Sequence, residues 1–200
     1  MRGKELTMKR RGFVFGGLTA GLAGCAGFGF SRSAMAAQSA AAFKVDPKYA
    51  PQIVAYPNRY KRGTIVIDTR KRFLYLVLTP VTARRYGVGV GRDALAWSGT
   101  ATIDAKKEWP SWRPTDEMIA REPGKYAKYK NGMPGGPKNP LGARALYLFD
   151  KGYDTFYRIH GTTAPQTIGR AVSNGCIRMV NEHVIDLYNR VPLGTTVVVL

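Results

Sequence analysis

Cysteine, histidine and acidic residues are scarce in this chain of 200 residues: 2 Cys, 2 His and 13 Asp+Glu stand against 31 Lys+Arg. Two cysteines cannot make a disulfide framework, and with two histidines they cannot build a convincing zinc cluster. The shortage of acid leaves a formal net charge of +18. A disordered basic tail is excluded all the same, because apolar content is 44% and Tyr, Phe, Val and Ile are frequent. The length suits one compact domain with a real core, and hardly two. No internal repeat is visible.

Long uncharged runs are also few, and the one at the N-terminus is informative. Gly12 to Phe30 carries no charge and follows Lys9-Arg10-Arg11. A positive segment before an apolar one reads as an export signal. Paired arginines just ahead of it favour the twin-arginine route. Nineteen residues could span a bilayer, but the seven glycines among them make a poor helix. Ala34-Met35-Ala36 offers a small-x-small cleavage site, so residues 1–36 are expected to be the signal. In competition, Leu22-Ala23-Gly24-Cys25 resembles the lipobox of bacterial lipoproteins, which would make Cys25 a lipid anchor and the chain's one attachment to a membrane. Either route leads to the periplasm or cell envelope. Six basic residues and one acidic residue precede Ala37, so the mature chain keeps +13. Its basic residues are dispersed, so no nucleic-acid partner is expected; anionic envelope polymers or lipid head groups fit better.

Residues 37–62 hold Pro47, Pro51 and Pro57 with no persistent periodicity and read as a tether or wrap-around arm. From Gly63 the pattern turns to strand. Thr64 to Asp68 and Phe73 to Leu78 flank the charged turn Thr69-Arg70-Lys71-Arg72 as a hairpin. Tyr86 to Val90, Ser98 to Ile103, Ala145 to Phe149, Phe156 to His160 and Thr196 to Leu200 read as further strands. Thr115 is placed to cap a short helix running to Arg121, and Val184, Ile185, Leu187 and Tyr188 recur at helical spacing. Asn131 to Gly142, rich in glycine and proline, reads as a long loop. Gly87-Val88-Gly89-Val90-Gly91 lacks the third glycine and the following helix that a dinucleotide loop requires, so no cofactor is expected there. The prediction is a mainly β domain over residues 63–200, with one or two short helices.

Cys176 is the one thiol left after removal of the leader. A buried, inert cysteine is one reading. The polar, glycine-containing turn Ser173-Asn174-Gly175-Cys176-Ile177-Arg178 argues for the other, since an arginine and exposed amides favour thiolate over thiol. His160 ends a predicted strand next to Gly161. A thiolate with an imidazole beside it is the minimum for nucleophilic acyl transfer, and the amides of Gly175 and Cys176 could stabilise the oxyanion. His183 reads as a solvated helix residue.

His160-Gly161-Thr162 and Gly175-Cys176-Ile177-Arg178-Met179, with fourteen residues between His160 and Gly175, resemble the L,D-transpeptidase catalytic domain, also called YkuD-type. The likeness extends to Trp97-Ser98-Gly99, Trp112-Arg113-Pro114-Thr115, Gly135-Gly136-Pro137-Lys138-Asn139-Pro140-Leu141-Gly142 and Val191-Pro192-Leu193-Gly194-Thr195. It implies a β-sandwich of mixed strands with a long loop over the active site. It also implies an enzyme in which Cys176 attacks the bond between diaminopimelate and the terminal D-alanine of a peptidoglycan stem. D-alanine would leave, and an amine of a second stem would resolve the thioester as a 3→3 crosslink. By the same likeness His160 is the general acid/base, oriented by the Gly161 carbonyl. Ser173 and Asn174 would line the site, and Arg178 would brace the loop or receive a substrate carboxylate. No cofactor or metal is implied. Many members carry histidine where Asn174 stands, so no proton relay can run through that position here. Rival expectations keep the acyl-enzyme but resolve it with water or with a lysine of an envelope protein, or replace catalysis by binding to the wall.

Overall fold

The computed structural model describes residues 44–92 and 97–200. The leader, its lipobox at Leu22 to Cys25 and its cleavage site at Ala36 lie outside the described residues. Among the described residues eleven strands form one nine-stranded mixed sheet and a two-stranded ribbon. The hairpin expected after Gly63 is β2 (Ile65–Asp68) and β3 (Phe73–Thr79), and β4 (Thr82–Gly87) continues the meander. Strand β2 carries the pattern that a strand covered on both faces requires. Ile65 and Ile67 enter the main core with Leu74, Leu76 and Tyr86; Val66 enters a second core with Tyr75, Val77 and Ala83.

Residues 44–62, read as a tether or arm, lie along the sheet. Strand β1 (Gln52–Ala55) pairs antiparallel with β4, and Val54, Tyr56 and Tyr60 roof the second core. Just before it Tyr49 presses on Gly87 and Gly169, where a Cβ would fall 2.3 and 2.1 Å from its atoms. Only glycine allows the arm to lie so close.

On the other side of β2 the C-terminal β11 (Thr195–Val199) pairs in parallel, followed by the long β6 (Gly99–Glu108), β7 (Arg144–Asp150) and β8 (Tyr153–His160). The last strand, β10 (Ile177–Arg178), runs parallel to the end of β8, with Arg178 opposite His160. Strand β5 (Val90–Gly91) pairs in parallel with β9 (Ala171–Ser173).

Helix α1 (Asp116–Arg121) starts where Thr115 accepts a bond from the Met118 N–H, and α2 (Pro123–Tyr126) follows it. Helix α3 (Asn181–Arg190) buries Val184 and Leu187 against the main core. Two devices hold it. At its C-terminal end Lys106 Nζ donates to the carbonyls of Tyr188 and Val191 at 2.6 and 2.7 Å, satisfying orphan acceptors with positive charge. On its outer face Tyr86, fully buried, donates to Asp186 at 2.7 Å, and Arg84 and Arg190 complete the cluster. Burial alone would raise the Asp186 carboxyl, yet the bonds from Arg190, Tyr86 and Arg84 hold it at about 2.

Candidate active site

The parallel pairing of β10 with β8 brings together two chain segments that carry the expected chemistry. His160 is the last residue of β8, and its carbonyl accepts from the Met179 N–H at 2.8 Å. Cys176 immediately precedes β10. Both line a cavity of about 610 Å³, together with Ser173, Asn174 and Arg178. Its opposite wall comes from Trp112, Met118 and Tyr126, and Pro140 and Leu141 of the long loop add a further side.

His160 is buried, and Nδ1 donates to the Gly161 carbonyl at 2.5 Å. That bond fixes the tautomer, leaving the lone pair on Nε2. Burial pushes the imidazole down to about 4; the charges of Arg178 and Arg158 push the same way, and the carbonyls of Gly161 and Leu141 oppose it. Cys176 Sγ lies 3.7 Å from the Phe156 carbonyl, a thiol donating to an acceptor. Burial raises this thiol, against the Arg158 N–H and the charges of Arg158 and Arg178, which favour thiolate. Arginine and amide thus favour thiolate, as expected, and burial works against them. Burial is the larger influence on both groups, upward for the thiol and downward for the imidazole.

Strand β8 is bent to meet the thiol. Tyr147 pairs with Arg158 and Phe149 with Asp154, so Leu148 alone faces three residues of the bulged strand. Within the bulge Phe156 takes φ 60°, a strained conformation for a side-chain-bearing residue, which aims its carbonyl at Cys176 and leaves its ring exposed.

The cysteine turn is held from within. Ser173 Oγ donates to the Cys176 carbonyl at 2.6 Å and accepts from the Gly175 N–H at 3.2 Å. Gly175 N–H is thus engaged within the turn, while the Cys176 N–H faces no acceptor among the described residues. Asn174 Oδ1 accepts from Arg121 and Arg92 at 2.9 and 3.4 Å.

Sequence reasoning missed two asparagines that build the walls. Asn139, buried at the heart of the loop over 131–142, donates to the carbonyls of Met133 and Pro134 and accepts from Leu141. Asn181, the first residue of α3, accepts from the Ala143 and Thr162 N–H groups at 3.1 and 3.2 Å. Its Oδ1 sits so close to Gly142 and Gly161 that a Cβ on either would fall 2.2 Å from it. One amide oxygen thus ties the end of the long loop to the residue beside His160. His183, expected in solvent, is half-buried, and its Nδ1 finds no partner among the described residues. Among those residues no three His, Cys, Asp or Glu side chains gather to hold a metal ion.

Residues 62–199 match the family model described as YkuD, the L,D-transpeptidase catalytic domain. The chain belongs to the L,D-transpeptidase catalytic domain family. Within that family it is 32% identical over 151 residues to the probable L,D-transpeptidase YbiS of Escherichia coli K12, a match spanning 74% of this chain and 47% of that protein. The L,D-transpeptidase domain therefore spans about half the length of the curated relatives it matches. The fold is shared with L,D-transpeptidase 3 of Mycobacterium tuberculosis, at a TM-score of 0.52 and 16% identity over 70% of this chain and 61% of that one. A Brucella melitensis structure described as a probable carnitine operon oxidoreductase caia is 62% identical, with a TM-score of 0.54, over 78% of this L,D-transpeptidase chain and 96% of its own.

Proposed function

We propose that this domain is a peptidoglycan L,D-transpeptidase with Cys176 as nucleophile and His160 as general acid/base. The observation that carries the reading is the meeting of the two residues in one cavity, with Nδ1 of the imidazole committed to a carbonyl and Nε2 free to take a proton. In acylation the thiol proton passes to Nε2 as Sγ bonds to the carbonyl carbon of the diaminopimelate L-centre. The carbonyls of Gly161 and Leu141, which favour the protonated ring, support the imidazolium as it forms. The Arg158 N–H, which favours thiolate, supports the sulfur. The oxyanion takes the Cys176 N–H, joined by the Gly175 N–H if the Ser173 bond gives way. Collapse breaks the C–N bond, the imidazolium proton goes to the leaving amine of D-alanine, and a thioester remains. An amine of a second stem then attacks, returning the thiol and closing a 3→3 crosslink. Ser173 and Asn174 shape the cysteine turn, and the Arg178 guanidinium receives a substrate carboxylate.

The oxidoreductase name of the Brucella protein supports no rival reading here. The Gly87 to Gly91 run lacks the third glycine that a dinucleotide loop requires, and it ends in β5. Residues 1–36 are assigned as a twin-arginine export signal and the envelope as the place of work. No helix of the described residues is long and apolar enough to cross a membrane.

Incubation of the mature protein with purified tetrapeptide muropeptides, read by mass spectrometry, tests the assignment. The expected products are free D-alanine and crosslinked dimers, both abolished by Cys176→Ala at an unchanged melting temperature. Shortened monomers instead of dimers would assign water as acceptor, and adducts on envelope proteins would assign lysine. Full turnover by the alanine variant would sink the mechanism.

A further inference from the structure

The cations around the cavity divide into matched and unmatched. Arg113 is paired with Asp116 at 2.8 Å, Lys125 with Glu122 at 3.3 Å, and Arg158 with both oxygens of Asp154 at 2.7 Å. On the side of Asn174 the pattern changes. Arg92, just after β5, and Arg121, the last residue of α1, come from segments far apart in the chain, yet both aim Nη2 at Asn174 Oδ1. Arg178 lines the cavity two residues beyond Cys176, and Arg92 is near enough for its charge to disfavour that of Arg178. Among the described residues no carboxylate lies within 4.0 Å of Arg92 or Arg178, and Arg121 has only Glu122 at that limit.

Two like charges thus converge on one neutral oxygen, and a third, Arg178, lies within electrostatic reach of Arg92 on the side of the candidate nucleophile. A guanidinium offers five N–H donors in a fork that fits the two oxygens of a carboxylate, and an amide oxygen satisfies one donor from each at most. The repulsion among the three is unrelieved until an anion arrives.

We propose that Arg92, Arg121 and Arg178 form a carboxylate subsite for the donor peptide. The carboxylate takes over the Arg92 and Arg121 donors now spent on Asn174 and faces Arg178 on the Cys176 side. The inference rests on the donor-peptide reading above. It adds two residues, Arg92 and Arg121, that select substrate by charge. Two carboxylates could supply the ligand: the one on the leaving residue, three bonds from the attacked carbon, or the one on the side chain of the acylated residue.

Three tetrapeptide donors separate these sources: the free diacid, the form amidated on the leaving residue, and the form amidated on the side chain. Thioester formation by the wild type, Arg92→Ala and Arg121→Ala is followed by intact-protein mass, and binding to Cys176→Ala by calorimetry. Each arginine variant is expected to raise KM for the diacid about tenfold or more, the loss of one charged hydrogen bond, with little change in kcat. The donor lacking the recognised carboxylate binds the wild type weakly and is indifferent to both substitutions, which identifies the source. Equal weakening of all three donors, or none, at unchanged melting temperature would overturn the subsite. If no donor forms a thioester but the diacid binds Cys176→Ala in an Arg121-dependent way, the reaction assignment falls and the subsite stands. If neither occurs, both fall.

Discussion

Burial disfavours the charged form of an imidazole and of a thiol alike, even where a carbonyl or an arginine beside them pulls the other way. At His160 and Cys176 burial is the larger influence on both, so under the proposed function the charged pair forms during attack. The same burial makes His160 a liability in acid. Its folded value of about 4 lies below the usual 6.5, so between those values the unfolded chain binds a proton that the folded chain refuses. Stability is full above 6.5 and falls as the pH drops through about 4, by about 3 kcal/mol for the shift alone. Asp186 falls in a separate window, because a carboxyl held at about 2 loses its contribution only below 3.8. Thermal unfolding from pH 7.5 to 4 should therefore show a steep decline in the wild type and a shallower one in His160→Asn. His183, also pushed down by burial, leaves a residual slope. Parallel curves for the two proteins would refute the assignment of the proton to His160.

Between elements, the work of alignment falls to the first residue of α3. Asn181 Oδ1 receives one N–H from the end of the long loop and one from the strand exit beside His160, 38 and 19 residues away in sequence. Asn181→Ala leaves two amides without their acceptor, at a cost of about 2 kcal/mol. It should also slow thioester formation by loosening Gly161 under the imidazole. Asn181→Asp keeps the oxygen and should restore both stability and rate; an alanine variant as fast as the wild type would mean that Gly161 is held by other contacts. This residue was not legible in the sequence, for a physical reason. Local signals, such as the Thr115 cap, the β-branched run of Ile65, Val66 and Ile67, and the spacing of Val184 and Leu187, act over a few residues and mark α1, β2 and α3 without help from the fold. Pairings such as β11 with β2, Arg121 with Asn174, or Gln-Ile-Val-Ala as a strand on β4, exist only once distant segments meet. The upward push on the Cys176 thiol is of the same kind. Arg178 two residues away was visible, but the burial that outweighs it belongs to the packed cavity.

For the molecule as a whole, the surplus of positive charge is the property that no single pair explains. Seven acidic residues, among them Asp68, Asp154 and Asp186, are already taken up in ion pairs, so the +13 of residues 37–200 is left largely uncompensated. Such a field adds little to the grip on a bound ligand in water, but it raises the encounter rate with anionic ones. Peptidoglycan stems carry several carboxylates, so under the proposed function the field acts on capture. Screening shortens its reach to about 10 Å at 0.1 M salt, and further above that. The second-order rate constant for thioester formation with a tetrapeptide donor should therefore fall steadily as NaCl rises from about 20 to about 500 mM, with kcat held nearly constant. Alkylation of Cys176 by iodoacetamide, an uncharged reagent that meets the same thiol in the same cavity, should be insensitive to the same series. An equal salt effect on both reactions would place the cause in the cavity itself, through loosening of the Arg121–Asn174 bond or a change in the thiol. The two rates moving apart is the outcome that a long-range field alone produces.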